Sequence, residues 1–265
     1  MLGAIAGDIF GAAFEGQPLK KEDFDLFGEG RFFTDDTVLT VATAEALLGD
    51  GDYAATYRRW GNQYPLRGYG PRFHQWFGQP GRGPYNSYGN GSAMRVSPIG
   101  WAFDTLDEVL EEAERSAAVT HNHPEGIKGA QATAAAVHPA RIGATKDEIR
   151  AEISGRFEFD LDRTIAAIRP DYRFEVSCQR SVPEALIAFL EADDFEHAIR
   201  LAISLGGDAD TQAAIAGSVA EAFFGGVPER IETEINTVLD PPLLGVVEHF
   251  TWVLENGRGL AKQGR

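Results

Sequence analysis

Two short segments of this 265-residue chain concentrate hard oxygen donors. FFTDDT carries Thr34, Asp35, Asp36 and Thr37, and GGDADT carries Asp208, Asp210 and Thr211. Each stands directly before an apolar run of helical period, so each places carboxylates and hydroxyls at a helix start. Such oxygens select Mg2+, Mn2+ or Ca2+, and the histidines and single cysteine form no constellation of zinc spacing. If the two starts converge, the four carboxylates of Asp35, Asp36, Asp208 and Asp210 carry a charge that two divalent cations would balance. Capping is the competing explanation, because Asp and Thr accept from the orphan N–H groups of a first turn and complement its dipole. One cap suffices for each helix, however, and the apolar sequence beyond both clusters argues for buried starts. Spare carboxylates there are costly without cations, so the pair favours a metal site more than either cluster does alone.

Other residues of interest are weaker signals. Glu15, in AAFEG, ends a glycine-faced helical stretch and by itself reads as a solvated glutamate. In VTHNHPEGIKG, His121, His123 and Glu125 read equally as cap or loop residues. SYGNGSAMR is more informative, because Gly89 and Gly91 leave backbone N–H groups open to an anion and Tyr88 could stack on a base.

The elements that must position these groups are mostly helical. GAIAGDIFGAAFEG (3–16) sets Gly3, Gly7 and Gly11 four apart, hence on one face that permits close backbone approach. Helices are also expected over 34–48, 105–121, 124–140, 145–154, 182–194, in DFEHAIRLAISLG, DTQAAIAGSVAEAFFG and PERIETEINTVL, and in LLGVVEHFTWVLENG near the end. FEVSC (174–178) is the best strand candidate. Residues 61–92, rich in glycine, proline and aromatics and locally basic through Arg67, Arg72 and Arg82, read as a long functional loop without regular structure. The expected fold class is therefore all-α, as one domain over residues 1–265.

Composition excludes several classes. A net charge of -16 opposes binding to bulk nucleic acid, though a local positive pocket for a phosphate-bearing ligand stays possible. Cys178 is the single cysteine, so no internal disulfide forms, and it reads as a buried, inert thiol. No basic leader segment precedes the first apolar stretch, which Asp8 interrupts, and no uncharged run reaches membrane-spanning length. A cytoplasmic monomer is the expectation.

Taken in order, GAIAGDIFGAAFEG, FTDDT, SYGNGSAMR, THNHPEGIKGAQA and SLGGDADT resemble the ADP-ribosylglycohydrolase family over residues 3 to about 225. The resemblance implies an all-α fold around a binuclear Mg2+ or Mn2+ centre. It implies Thr34, Asp35, Asp36, Asp208, Asp210 and Thr211 as metal ligands, and Glu15 as a ligand or acid/base group. Ser87, Tyr88, Gly89 and Asn90 would line the diphosphate and distal-ribose pocket, with His121 beside them. Gly70 and Gly91 are counted with these substrate-binding positions. Arg95 belongs to the motif, without an assigned contact. Residues 140–200 and those beyond 226 carry no motif to transfer.

The chemistry implied is hydrolysis at the anomeric carbon of an ADP-ribosyl unit on a protein side chain such as arginine or serine, or on a small molecule. The cations would chelate the ribose 2- and 3-hydroxyls. An acidic group, Glu15 first and Asp35 or Asp36 otherwise, would protonate the leaving group or activate water. Two alternatives remain open at this point: a non-catalytic ADP-ribose-binding module on the same fold, and a metal-dependent phosphohydrolase.

Overall fold

The computed structural model describes residues 1–257. Fourteen α-helices and two short 3-10 turns make up its regular structure, with no strand among the described residues. In chain order they are α1 (Leu2–Gly11), α2 (Asp35–Leu48), α3 (Tyr53–Gln63), α4 (Pro71–Phe77), α5 (Ser97–Ala102), α6 (Leu106–Ala118) and α7 (Pro124–Arg141). They continue with α8 (Lys146–Phe157), α9 (Ile165–Ile168), α10 (Cys178–Glu191), α11 (Phe195–Ile203), α12 (Ala209–Phe224), α13 (Glu229–Val238) and α14 (Pro241–Glu255). No helix is long and apolar enough to cross a membrane among the described residues.

Local chemistry explains most boundaries. Thr105 and Thr145 open α6 and α8 with reciprocal capping boxes, exchanging hydrogen bonds with Glu108 and Glu148. Asp194 and Asp240 cap α11 and α14. Gly225, at φ 81°, ends α12 in the left-handed conformation that glycine adopts freely.

α12 lies at the centre, packed by α1, α11, α10 and α7, while α2 joins α3 and α14 on the flank. The glycine face of α1 meets α12 in antiparallel register. A Cβ on Gly3 would lie 2.1 Å from the carbonyl oxygen of Gly217, and one on Gly7 equally close to that of Ala213. One on Gly11 would fall 2.5 Å from the Cα of Asp210. No side chain fits between the two backbones. The burial this contact allows offsets the roughly 1 kcal/mol that each glycine costs a helix. The register also brings the end of α1 to the start of α12.

Three expectations need correction. Residues 61–92 are not without regular structure: α3 runs into the stretch, α4 lies inside it, and Asn90–Ser92 form a 3-10 turn. Phe73, Trp76 and Phe77 are buried, so the aromatic content serves packing. FEVSC forms no strand. Ser177 makes a single bridge to Gly89, and the pairing stops there because the partner segment turns into the 3-10 turn at Asn90. α10 also starts four residues before its expected first residue, with Cys178 N donating to the carbonyl of Tyr88 at 2.9 Å and Pro183 inside the helix.

The same substitution should act oppositely at two glycines. Gly7→Ala forces a methyl into the α1–α12 contact and should cost ~3 kcal/mol or more. Gly155→Ala, on exposed α8 with open space around it, should stabilise by ~0.5–1 kcal/mol. Urea unfolding monitored by circular dichroism measures both, and a neutral Gly7→Ala would contradict the close contact.

Candidate active site

The acid-rich starts of α2 and α12 face one cavity of about 450 Å3. Thr34, Asp35, Asp36, Asp208, Asp210 and Thr211 all line it. So do Glu15, Gly70, Ser87, Gly89, Asn90, Gly91 and His121. Tyr88 does not: its ring is 51% exposed and leans edge-on against His123, 5.4 Å between centroids. His123 itself caps α7, accepting from Glu125 N.

The two starts touch directly. Thr211 Oγ1 donates to Asp36 Oδ2 at 3.2 Å, across 175 residues of sequence. Thr34 Oγ1 accepts from Asp36 N as the cap of α2, so one hydroxyl does satisfy that helix. Asp208 makes no side-chain cap bond at α12 and instead accepts from Asn90 Nδ2 at 2.7 Å. Asp36 Oδ1 is buried without a hydrogen-bond partner. Capping therefore accounts for Thr34 but not for the carboxylates of Asp36 and Asp208. Oxygens of Glu15, Asp208 and Asp210 lie within 4.8 Å of one another, close enough to share a cation.

Asp8 organises the start of α2. It is wholly buried on α1 and accepts from Thr34 N at 2.9 Å, Thr34 Oγ1 at 2.8 Å and Thr37 N at 3.0 Å. In the sequence it shows only as a charge that interrupts an apolar run. A charge on an otherwise apolar helix was the available signal. On the other side, Asp35 N donates to the carbonyl of Arg67 at 2.7 Å, fixing α2 against the segment before α4. Gly16 N donates to the carbonyl of Gly207 at 3.2 Å, which holds Glu15 beside the start of α12. Gly206, at φ 64°, makes the turn there, and a Cβ on it would strike the backbone of Leu19.

The glycine-rich loop is gripped by the segment before α10. Asn90 N donates to the carbonyl of Val176 at 2.8 Å, and Cys178 Sγ points to the carbonyl of Gly89 at 3.0 Å. Cys178 is thus buried and hydrogen-bonded, with its thiol pushed up to about 12 chiefly by burial. Phe174 and Val176, exposed and from a region without a recognised motif, form part of the cavity wall.

The cavity carries charges of both signs. At the acid end burial raises every carboxylate: Asp36 and Asp210 rise well above the ordinary range, with their acidic neighbours adding to the effect. Half-buried Asp35 also rises well above it, through lost solvation and then Asp8. Asp8 and Asp208 are raised by burial against hydrogen bonds that pull them down. Glu15 stands at the rim, exposed on one side; lost solvation, then Asp208 and Asp8, raise it. Arg72 and fully buried Arg95 also line the cavity, and the loop joins the acids through the Asn90 amide on Asp208. His121 is held well below its usual range by burial, Arg95 and Arg72, and so is neutral. A crowded all-oxygen acid cluster with an orphan oxygen suits hard divalent cations, and the two arginines suit an anion.

The ADP-ribosylglycohydrolase family model matches residues 1–250. The chain is 30% identical to ADP-ribosylhydrolase ARH3 of Gallus gallus, over 85% of this chain and 84% of that one. ADP-ribosylarginine hydrolase Tri1 of Pseudomonas putida (strain GB-1) is 29% identical, over 85% and 69%. A solved structure described as an ADP-ribosylglycohydrolase-related protein complex superposes with a TM-score of 0.76 at 28% identity, covering 98% of this chain and 97% of the other. The motifs, the all-helical fold and the cavity agree with these matches: the chain belongs to the ADP-ribosylglycohydrolase family and is an ADP-ribosylglycohydrolase.

Proposed function

We propose that the protein is a monomeric, single-domain hydrolase that cleaves the bond between the anomeric carbon of ADP-ribose and an acceptor, with two Mg2+ or Mn2+ ions at the acid end of the cavity. The observation that carries this reading is the convergence of both acid-rich helix starts on the cavity that also holds the glycine-rich loop and Arg95. Thr34, Asp35, Asp36, Asp208, Asp210 and Thr211 would hold the cations. When bound, these supply Lewis acidity toward the sugar hydroxyls and water and neutralise the crowded carboxylates.

The chain's own groups account for the remaining roles. Gly91 N, with the side chains of His121, Ser87 and Asn90 near it, would hold the diphosphate beside Gly89, and Arg72 and Arg95 would offset its charge. Gly70 leaves space in the wall, since a Cβ there would meet nothing within 4 Å. Glu15, at the rim with its proton affinity raised, would protonate the departing acceptor atom as the carbon–acceptor bond breaks. Water then completes the hydrolysis at the anomeric carbon, and Asp35 or Asp36 is the second candidate for the acid/base role. Tri1 is named for ADP-ribosylarginine, which makes an arginine conjugate the first acceptor to try.

Conjugates of ADP-ribose on arginine, on serine and on small molecules, incubated with Mg2+, Mn2+ or chelator and analysed by mass, test the reading. Release of ADP-ribose that chelator abolishes is expected; binding without release would make the protein a recognition module. Glu15→Gln should lower kcat by at least about a hundredfold while ADP-ribose still binds.

A second test uses stability. In chelator, Asp8, Asp35, Asp36, Asp208 and Asp210 have folded pKa values raised above the unfolded value of about 4. The folded state then keeps protons that the unfolded state releases, so stability falls as pH rises through the folded values. Thermal unfolding should show Mg2+ or Mn2+ stabilising the protein more at about pH 7 than at about pH 5, by relieving that repulsion. Equal stabilisation at both would contradict the cluster's electrostatics.

A further inference from the structure

Arg95 has no established task, yet it is fully buried and makes no ion pair among the described residues. Its guanidinium lies over the ring of Tyr57, 4.4 Å from the centroid. Nη2 donates to the carbonyl of Ser116 at 3.1 Å and to Thr120 Oγ1 at 3.0 Å, while Nε and Nη1 have no protein partner. Burying such a charge is costly, so a compensating role is expected.

The geometry around Thr120 supplies one. A guanidinium stays protonated and only donates, so it occupies a lone pair of the Thr120 hydroxyl. The other contact of that hydroxyl is His121 Nδ1, at 2.7 Å. Among the described residues it is the one acceptor placed to receive the hydroxyl proton. With Nδ1 as that acceptor the hydroxyl proton is satisfied, and the single proton of the neutral ring would sit on Nε2. Nε2 faces the glycine-rich loop, 3.6 Å and 3.5 Å from the positions a Cβ would take on Gly89 and Gly91. The carbonyl of Thr120 accepts from Tyr85 N and Ser87 N, both at 3.4 Å, so the same residue also anchors the approach to that loop.

We infer that Arg95 and Thr120 are positioning residues, a donor relay that locks His121 in the Nε2–H form and so presents a neutral donor beside the glycine-rich loop to an anionic group. The opposite tautomer would offer that group a lone pair and repel it. Use of the donor on a diphosphate rests on the proposed function; the tautomer does not. Burial, Arg95 and Arg72 keep the ring neutral, which lets one tautomer persist at neutral pH.

Full-length protein labelled with 15N at histidine, read by long-range proton–nitrogen correlation NMR near neutral pH, reports which ring nitrogen carries the proton. His121→Gln assigns the signal. The Nε2–H pattern is expected in the wild type and in Thr120→Ser. Thr120→Val, which keeps the shape without the hydroxyl, should move the ring to Nδ1–H or to exchange between the forms. Its affinity for ADP-ribose should fall roughly tenfold, with recovery in Thr120→Ser. Thr120→Ala serves the same purpose where valine prevents folding. An Nδ1–H ring in the wild type, or a pure Nε2–H ring in the variant without the hydroxyl, overturns the relay. Failure of the wild type to bind ADP-ribose would instead contradict the functional reading and leave the tautomer result standing.

Discussion

Backbone contact between α1 and α12, open only to glycine on α1, sets the distance at which the acidic segments meet. Because the helices run antiparallel, the end of α1 lies at the start of α12, and the following turn carries Glu15 to Asp208. Asp8 projects from the same helix to hold Thr34 and Thr37, which places the start of α2 at the same point. Three segments distant in sequence thus converge because one interhelical separation is short. Bulk added at that contact would move the carboxylates apart along with the helices.

The convergence carries an electrostatic cost. Buried carboxylates crowd together without a cationic side chain paired to them among the described residues, and each is raised in proton affinity. Hydroxyls of Thr34 and Thr211 and the amide of Asn90 satisfy part of the cluster, but Asp36 Oδ1 is left over. Divalent ions would complete it. Arg72 and Arg95 line the same cavity and supply positive charge inside a chain of net charge -16.

The helices were largely legible in sequence, because Thr105, Thr145 and Asp194 announce their starts with cap chemistry. The glycine spacing of α1 was legible for a similar reason, since three glycines on one face have few other uses. α3 and α4 were not, because their aromatic and glycine-rich surroundings mask the helical period while tertiary packing of Phe73, Trp76 and Phe77 decides the structure. Phe174–Cys178 looked like a strand from composition, but its role is to grip the glycine-rich loop, which only the fold reveals. For the site, oxygen-rich residues stood out because their number exceeded the needs of capping. Asp8 stayed hidden, and Arg95 stood in a motif without an assigned contact: each is a single charged residue whose importance comes from partners that folding brings near.

The central claim is that the starts of α2 and α12 form one cation site. Anomalous diffraction from crystals soaked in Mn2+ tests it most directly. The account predicts manganese peaks in the cavity, with ligands drawn from both Asp35–Asp36 and Asp208–Asp210. Peaks confined to one segment, or no peak in a crystal soaked at saturating Mn2+, would contradict it.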